Sequence, residues 1–405
     1  MENNGKVSAG YGLVEKKKYP YLPIEDLSTI LGITIKEDNT NKVIAFLGEL
    51  SAYTKSSQFN ISFNAPSSTG KSYIPLEICT LFPEEDVLSI GYCSPTAFFH
   101  EIGEYDKERR ITKLNLSRKI LIFLDQPHTL LLQHLRPLLS HDQEEMTIKI
   151  TDKDKSIGLR TKNIIIKGFP AVTFCSAGLK LDEQESTRFL LLSPESSQEK
   201  IRQAIIEKVA KESNRVAYEG YVEKNSQRQA LKERILAIRN EQISDINIES
   251  QEKIIRIFLK KKILKARHMR DVGRVISLVK AIALLNLWHK KREGSVIFAD
   301  EEDIIQARII WRAISKSQEY NLPPYVYELY KNTIKSFFDN AQVGITRNDI
   351  IQKHYSIYSR ALPDWELRRL ILPLLESAGL IIQESDPEDR RTMLIYPNRD
   401  KNKVD

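Results

Sequence analysis

Apolar positions along this chain fall into two regimes. Between about 57 and 195, short β-rich runs (Phe59–Phe63, Val87–Ile90, Lys119–Leu124, Ala171–Cys175 and Phe189–Leu192) alternate with helical stretches. Strands alternating with helices predict a mostly parallel sheet covered on both faces. Ahead of it, Val43, Phe46, Leu47 and Leu50 recur at helical spacing and predict a helix over roughly 39–56. Residues 196–320 give no strong strand signal and read as all-helical. Asn321-Leu322-Pro323-Pro324 is the clearest break, since paired prolines end a helix and stiffen a linker. Beyond it, helices are expected near 325–338, 346–354 and 363–377. Two short runs follow, Leu380–Glu384 and Thr392–Tyr396, flanking the turn-rich Ser385–Asp389. The organisation read from this pattern is a lead-in over 1–38, a core over 39–195, a helical unit over 196–320 and a small α+β unit over 325–400.

Composition adds limits rather than a function. The chain has 405 residues, 41% hydrophobic and 28% charged, enough for two or three cored domains and incompatible with disorder. Its longest apolar stretch, around Ile276 to Trp288, is broken by Lys280, so no membrane span is expected. No signal-peptide h-region opens the chain, which predicts a cytoplasmic protein. Cys79, Cys93 and Cys175 are widely spaced, and no His is placed to join them, so free thiols and no zinc site are expected. A formal net charge of +7 fits a nucleic-acid partner without requiring one.

Candidate chemistry is densest at Phe63-Asn64-Ala65-Pro66-Ser67-Ser68-Thr69-Gly70-Lys71-Ser72, between a predicted strand and a helix. This matches G-x-x-x-x-G-K-[ST] except that Ala65 replaces the first Gly. Pro66, Ser67, Ser68, Thr69, Gly70, Lys71 and Ser72 are therefore the candidate ATP-binding loop. Amides of Ser67 to Lys71 would curl around a β-phosphate and a helix start would add partial positive charge. Lys71 would reach the β/γ-phosphates and Ser72 would ligate Mg²⁺. The run Lys119–Leu124 ends in Asp125, a second candidate Mg²⁺ holder. This pairing resembles ATPases of the AAA+ class, in which a Glu follows that Asp and activates water. Here Gln126 follows, which can orient a water but cannot take its proton. Either Gln126 polarises the water, a nearby acid such as Glu101 or Glu104 substitutes, or hydrolysis is slow.

After a predicted helix over Thr129 to Leu139, residues 146–167 read as a β-hairpin with six cations and two acids. Clustered cations suit phosphate contacts, so Lys149, Lys153, Lys155, Arg160, Lys162 and Lys167 are candidate DNA contacts. The hairpin resembles the pre-sensor-1 hairpin of minichromosome-maintenance helicases, which implies DNA gripping in a central channel. On that resemblance Ser176 takes the polar sensor-1 position. Arg188, in Ser186-Thr187-Arg188-Phe189, looks like the arginine finger that reaches the γ-phosphate of an adjacent subunit. The segment 267–281 resembles the sensor-2 helix, with Arg270 in the sensor role and Arg274 on the same face. Residues 251–293 hold 13 Lys/Arg against three acids, mostly a solvated helix face with part of it a candidate DNA path.

The last unit looks like a winged helix, with Arg368 and Arg369 on its recognition helix and Arg390 and Arg391 past the wing tip. From 341 to 405 ten basic residues balance ten acidic ones, so DNA reading there is only slightly favoured over protein contact. Taken together, about 37–400 resembles self-loading replicative helicases and initiators of mobile genetic elements, such as staphylococcal cassette and pathogenicity-island Rep/Cch-type proteins. On this reading the extra N-terminal domain that many full-length replicative helicases carry is not expected ahead of the core. The resemblance implies an α/β P-loop AAA+ core, a helical lid and a winged helix. It also implies ATP and Mg²⁺ as cofactors, DNA as partner, a hexameric ring and translocation driven at subunit interfaces. Two rival readings stay open: an ATP-switched DNA-binding regulator or partitioning factor with little turnover, and a defence or signalling ATPase whose winged helix binds protein.

Overall fold

The computed structural model describes residues 19–398 except 92, 95–97, 99–102, 107–110, 155–157, 177–187, 262, 266 and 341–343. The basic run at 16–18, Glu101, Lys155 and Glu185 to Thr187 lie outside the described residues, as do 341–343. Nine strands build the first half: β1 (Asn60–Asn64), β2 (Val87–Ile90), β3 (Glu104–Asp106), β4 (Ile111–Asn115), β5 (Ile120–Phe123), β6 (Glu145–Asp154), β7 (Gly158–Lys167), β8 (Ala171–Ser176) and β9 (Phe189–Leu192). Five of them form a sheet in the order β2-β5-β8-β1-β9, and every neighbouring pair is parallel. These are the five runs expected from the sequence, each within a residue or so.

Both faces of that sheet are covered, because successive residues point to opposite sides. Ile61, Phe63, Ile120, Ile122 and Cys175 join one apolar core, while Leu121, Phe123, Val172, Phe174 and Leu191 join another. The first core holds α1 (Ile24–Leu31), α2 (Asn39–Leu50) and α3 (Tyr73–Cys79); the second holds α4 (Thr129–Leu139). α2 is buried from Asn41 to Leu50, and a Cβ on its Gly48 would sit 2.5 Å from Ile61 Cδ1. That contact sets how closely the helix lies on β1.

The structure adds to the sequence reading at several points. The lead-in is not only a tail: α1 buries Leu27 and Leu31 completely or nearly so. The 146–167 hairpin is present as β6 and β7, in register from Glu145↔Lys167 to Asp154↔Gly158, but it is not solitary. Its β7 pairs in parallel with β4, giving a second sheet in the order β3-β4-β7-β6.

Residues 196–320 supply α5 (Gln198–Ser213), α6 (Arg215–Lys224), α7 (Ser226–Asn240), α8 (Gln251–Leu259), α9 (His268–Leu285) and α10 (Glu301–Glu319). They also contain a small sheet of β10 (Asp245–Ile248), β11 (Lys291–Glu293) and β12 (Val296–Ala299), so the unit is not all-helical. Nor does it have a separate core, since Val275, Leu278 and Ile304 pack in the same cluster as Ile61.

The break at 321–324 is a packed corner, not an open linker. Leu322 is buried, and α11 (Pro324–Leu329) starts with proline at its first turn, where no amide is needed. α11 runs through a π turn at Tyr330–Ile334 into Lys335–Asn340, then come α12 (Arg347–Tyr358) and a last helix, Asp364–Glu366 to Leu372–Ser377, with a second π turn at Leu367–Ile371. β13 (Ile381–Ser385) and β14 (Met393–Pro397) form an antiparallel hairpin. Ile345 bridges Ile395, and this unit has its own core.

Candidate functional site

Residues 65–72 leave the C-terminal end of β1 in a curled loop. Ser68 and Gly70 take positive φ, 65° and 88°, a conformation that Gly reaches without strain and that bends successive amides inward. Thr69 Oγ1 donates to Pro66 O at 2.9 Å, and the Tyr73 and Ile74 amides donate to Gly70 O, so helical turning starts before α3. None of the backbone amides from Ser67 to Ser72 donates to another described residue. Such a row of open amides is what an anionic ligand needs.

In a parallel sheet all C-terminal strand ends share one rim, so β5 and β8 bring Asp125, Gln126 and Ser176 beside this loop. Asp125 is exposed and its Oδ1 accepts from the Gln126 amide at 2.8 Å. Ser176 Oγ donates to Gln126 Oε1 at 3.3 Å. Cys175 links the strand end to the loop. Its thiol donates to Lys71 O at 3.5 Å, and burial pushes it up to about 12, opposed by a hydrogen bond with Ser72 and the Lys71 charge while the Asp125 charge adds to it. Lys71, Ser72, Asp125, Gln126 and Ser176 are thus gathered in one place. Glu104, a candidate substitute acid, is exposed opposite Lys113 on the edge of the second sheet, and no described contact brings it to Gln126.

Arg188 lies at the other rim. It precedes Phe189, which pairs with Asn60 at the start of β1, and its Nε donates to Ser140 Oγ at 2.7 Å at the end of α4. β9 and β1 run parallel, so about four residues of strand, ~13 Å at 3.3 Å each, separate this rim from the root of the loop. The 267–281 segment meets the same rim. Arg274 is buried, donates to Asp271 Oδ1 at 3.0 Å and to Phe189 O at 2.5 Å, and burial pulls its guanidinium down to about 10. Arg270, one turn earlier, is exposed.

A cavity of about 1140 Å³ opens on the outer side of the loop. Its walls are Ala65 to Gly70, the Thr34–Asp38 turn before α2, α5, and the C-terminal unit. One ion pair closes its floor: Lys200 meets the fully buried Asp38, and its Nζ also donates to Thr69 O at 3.3 Å. Asp38 further accepts from the Glu195 amide at 2.7 Å and Asn41 Nδ2 at 2.8 Å. The sequence reading missed Asp38 and Lys200. They lie far apart in the chain, and no spacing signal joins Lys200 to Thr69, 131 residues away. Burial raises the carboxyls of Glu195 and Glu328 on the same walls.

The expected basic surfaces fare unequally. Among the 13 cations of 251–293, Lys253, Lys261, Lys265, Arg267, Arg274, Lys280, Lys290, Lys291 and Arg292 are held by acids of the chain, among them Glu319, Asp271, Asp303 and Glu241. Much of the apparent basic excess there is therefore balanced by acids from other parts of the chain; Arg256, Lys260 and Arg270 are exposed without an ion pair among the described residues. On the hairpin, Lys149 and Lys167 are exposed, Lys153, Arg160 and Lys162 lie on its strands, and Lys155 is outside the described residues. Arg368, Arg369, Arg390 and Arg391 are exposed on the C-terminal unit. No helix among the described residues is long and apolar enough to cross a membrane.

A parallel sheet in which β1, between β8 and the edge strand β9, leads through a glycine-lysine loop into a helix defines an α/β P-loop protein. Residues 14–230, more than half of the chain, match the family model of the MTBMA_p00010 P-loop domain, and the chain belongs to that family. Membership of a P-loop family implies nucleotide binding. No curated protein matches the sequence. Among solved structures the chain is similar to a full-length MCM homolog from Methanopyrus kandleri, at 12% identity and a TM-score of 0.44, over 73% of this chain and 59% of that one. The chain thus spans less than two thirds of that protein.

Proposed function

We propose that this protein is a Mg²⁺- and ATP-dependent AAA+ ATPase that acts on DNA from a ring whose catalytic sites are shared between neighbouring copies. The observation that carries the reading is the split of the candidate residues between two rims of one parallel sheet. Lys71, Ser72, Asp125, Gln126 and Ser176 share the rim of the phosphate loop, while Arg188 sits at the opposite rim beside Phe189. Arg188 cannot serve its own loop across that depth, so a role at a γ-phosphate requires a second copy. Arg270 is exposed one turn before Arg274, the residue that bonds Phe189 O at this rim, and is the second arginine offered to a neighbouring copy.

In this mechanism the 67–72 amides cradle the β-phosphate, Lys71 neutralises the β/γ oxygens, and Ser72 with Asp125 offers the hard oxygen ligands that suit Mg²⁺. The metal would supply charge neutralisation for the leaving phosphate. Gln126, held by Ser176, orients the attacking water, and the partner copy's rim adds the positive charge that the transition state needs. The 146–167 hairpin, projecting from the strand that leads into β8, would carry Lys149, Lys153, Lys155, Arg160 and Lys162 to the DNA backbone. The C-terminal unit reads as a winged helix with Arg368, Arg369 and Arg390 outward. A hexamer working in the cytoplasm, and a role as an initiator helicase of a mobile element, complete the proposal.

The deciding experiment is the ATPase rate with and without single-stranded DNA for wild type and Lys71→Ala. Stimulation in the first and none in the second is expected, and a wild type indifferent to DNA overturns the DNA-motor reading. Mixing Arg188→Ala subunits into wild type should depress activity more than dilution does; simple dilution refutes the shared site. Gln126 favours one other reading, an ATP-switched DNA-binding regulator with little turnover, because the residue that follows Asp125 is an amide that cannot take the attacking water's proton. Such a switch binds a forked duplex without unwinding it.

A further inference from the structure

The nucleotide cavity has a wall that a P-loop core by itself does not provide. Opposite the phosphate loop, residues of the C-terminal unit line it: Tyr325 and Glu328 from α11, Tyr358 and Arg360 from the end of α12, and Glu366 from the last helix. Ser359 takes φ of 50°, so the chain reverses at the end of α12 and presents 359–362 to the cavity. The turn is fixed from behind, with His354 Nδ1 3.0 Å from Arg360 O. Arg360 is exposed and has no ion-pair partner among the described residues. An unpaired guanidinium on the wall of a cavity whose opposite wall is a row of open amides is a site for negative charge.

A second, independent observation ties this wall to the loop. The Tyr325 amide donates to Ser193 Oγ at 3.2 Å, and Ser193 Oγ donates to Asn64 O at 2.7 Å, the residue that opens the loop. Gln318, just ahead, bonds both Leu191 N and Leu191 O, at 3.1 and 2.7 Å, through its side chain. The C-terminal unit is therefore seated on the same strand ends that carry the phosphate loop. The volume, about 1140 Å³, is at the upper limit of what a small ligand fills, so the wall has room to close on one.

We infer that the C-terminal unit is a working part of the nucleotide site in the same chain: Arg360 is a positioning residue that contacts the charge of the bound nucleotide, and nucleotide leaves only when this unit draws back. The inference rests on the nucleotide reading above and on a nucleotide held by the 67–72 loop extending into the cavity that Ala65 to Gly70 also line. A ligand that pulls the C-terminal unit outward would thereby speed nucleotide exchange, which couples whatever that unit binds to the ATPase cycle.

The test uses the full chain with a fluorescent N-methylanthraniloyl ADP. Arg360→Ala should weaken its binding roughly tenfold, mainly through faster release, as expected for a lost charge-assisted contact. Arg360→Lys should recover part of that, and Arg312→Ala, an exposed arginine of α10 that does not line the cavity, should change nothing. Trp365, beside Glu366 and exposed, is the reporter. Energy transfer to the bound nucleotide should drop in Trp365→Phe, even if affinity is unchanged. If wild type binds the nucleotide but Arg360→Ala releases it at the same rate, or Trp365→Phe transfers as well as wild type, the inference is overturned. If wild type and Lys71→Ala are alike in failing to bind, it is the nucleotide reading itself that fails.

Discussion

Arg270 and Arg274 are neighbours on one helix face, yet the structure gives them different jobs, and the difference can be measured. Arg274 is 7% exposed and its partner Asp271 2%. Arg274→Met keeps the bulk of the side chain and removes its bonds to Asp271 and Phe189 O. Asp271 is then left with Arg267, 3.8 Å away, and Phe189 O loses its donor at the start of β9. Removing one member of a buried pair costs about 3–5 kcal/mol, because the other charge stays buried without compensation. The Arg267 contact offsets part of this, so the lower end, about 3 kcal/mol, is expected, or a melting shift of at least ~6 °C for a core of this size. Arg270 is exposed and unpaired among the described residues, so Arg270→Met should change stability by no more than about 0.5 kcal/mol. On the proposed reading it should still cut DNA-stimulated ATPase. Thermal unfolding monitored by circular dichroism, run beside the ATPase assay, separates the two. If Arg274→Met unfolds within ~2 °C of wild type, or Arg270→Met is the less stable of the pair, the assignment of a structural and a surface arginine is wrong.

Two further outcomes are expected. Burial pulls the His141 imidazole, tilted against the Phe169 ring at 4.7 Å between centroids, down to about 4, so the fold holds it neutral where the unfolded chain takes up a proton below pH 6.5. Unfolded protons then exceed folded ones between pH 6.5 and 4, and stability falls as pH falls through that window, by up to about 3 kcal/mol at ~1.4 kcal/mol per pH unit; denaturant titrations of His141→Gln should lack this part of the acid slope, and an unchanged slope refutes it. Gln126→Glu puts a proton acceptor where only a water-orienting amide stands, and should raise kcat at least ~10-fold with nucleotide affinity nearly unchanged; a fall in kcat would show that the amide itself is the working group.

What the sequence discloses depends on how local the physics is. In the main sheet β5 (Ile120–Phe123) and β9 (Phe189–Leu192) are readable as short apolar runs buried throughout, whereas β1 alternates Asn60, Ser62 and Asn64 with Ile61 and Phe63 and is readable from that period of two. The phosphate loop is readable because eight consecutive residues carry it. β11 is hidden for the opposite reason: Lys291, Arg292 and Glu293 are all exposed, and only pairing with β12 makes them a strand. β3 is equally polar and exists because β4 lies beside it. Lys200 and Asp38 meet only after folding. Cation density over 251–293 misleads for the same reason: its acids sit elsewhere, as when Glu319 holds both Lys261 and Lys265. Charge counted along a chain is not charge exposed on a surface.

β9 is where these threads join, and its geometry constrains any account of the protein. Arg188 precedes it at one rim and Ser193 follows it at the other, about five residues of extended chain, ~16 Å, apart. At the Ser193 end the strand touches the root of the phosphate loop and the first turn of α11 through one hydroxyl. At the Arg188 end it touches α4 through Ser140 and α9 through Arg274. A strand paired on one side within a sheet is stiff along its length, so a shift of the loop on nucleotide binding has two outlets. One runs within the chain, to the C-terminal unit. The other runs along β9 to the rim that, on the proposed reading, faces the next copy. Both outlets start from the same strand, so on the proposed reading a change at Ser193 should disturb nucleotide release, the seating of the C-terminal unit and subunit contact together while leaving Lys71 chemistry intact.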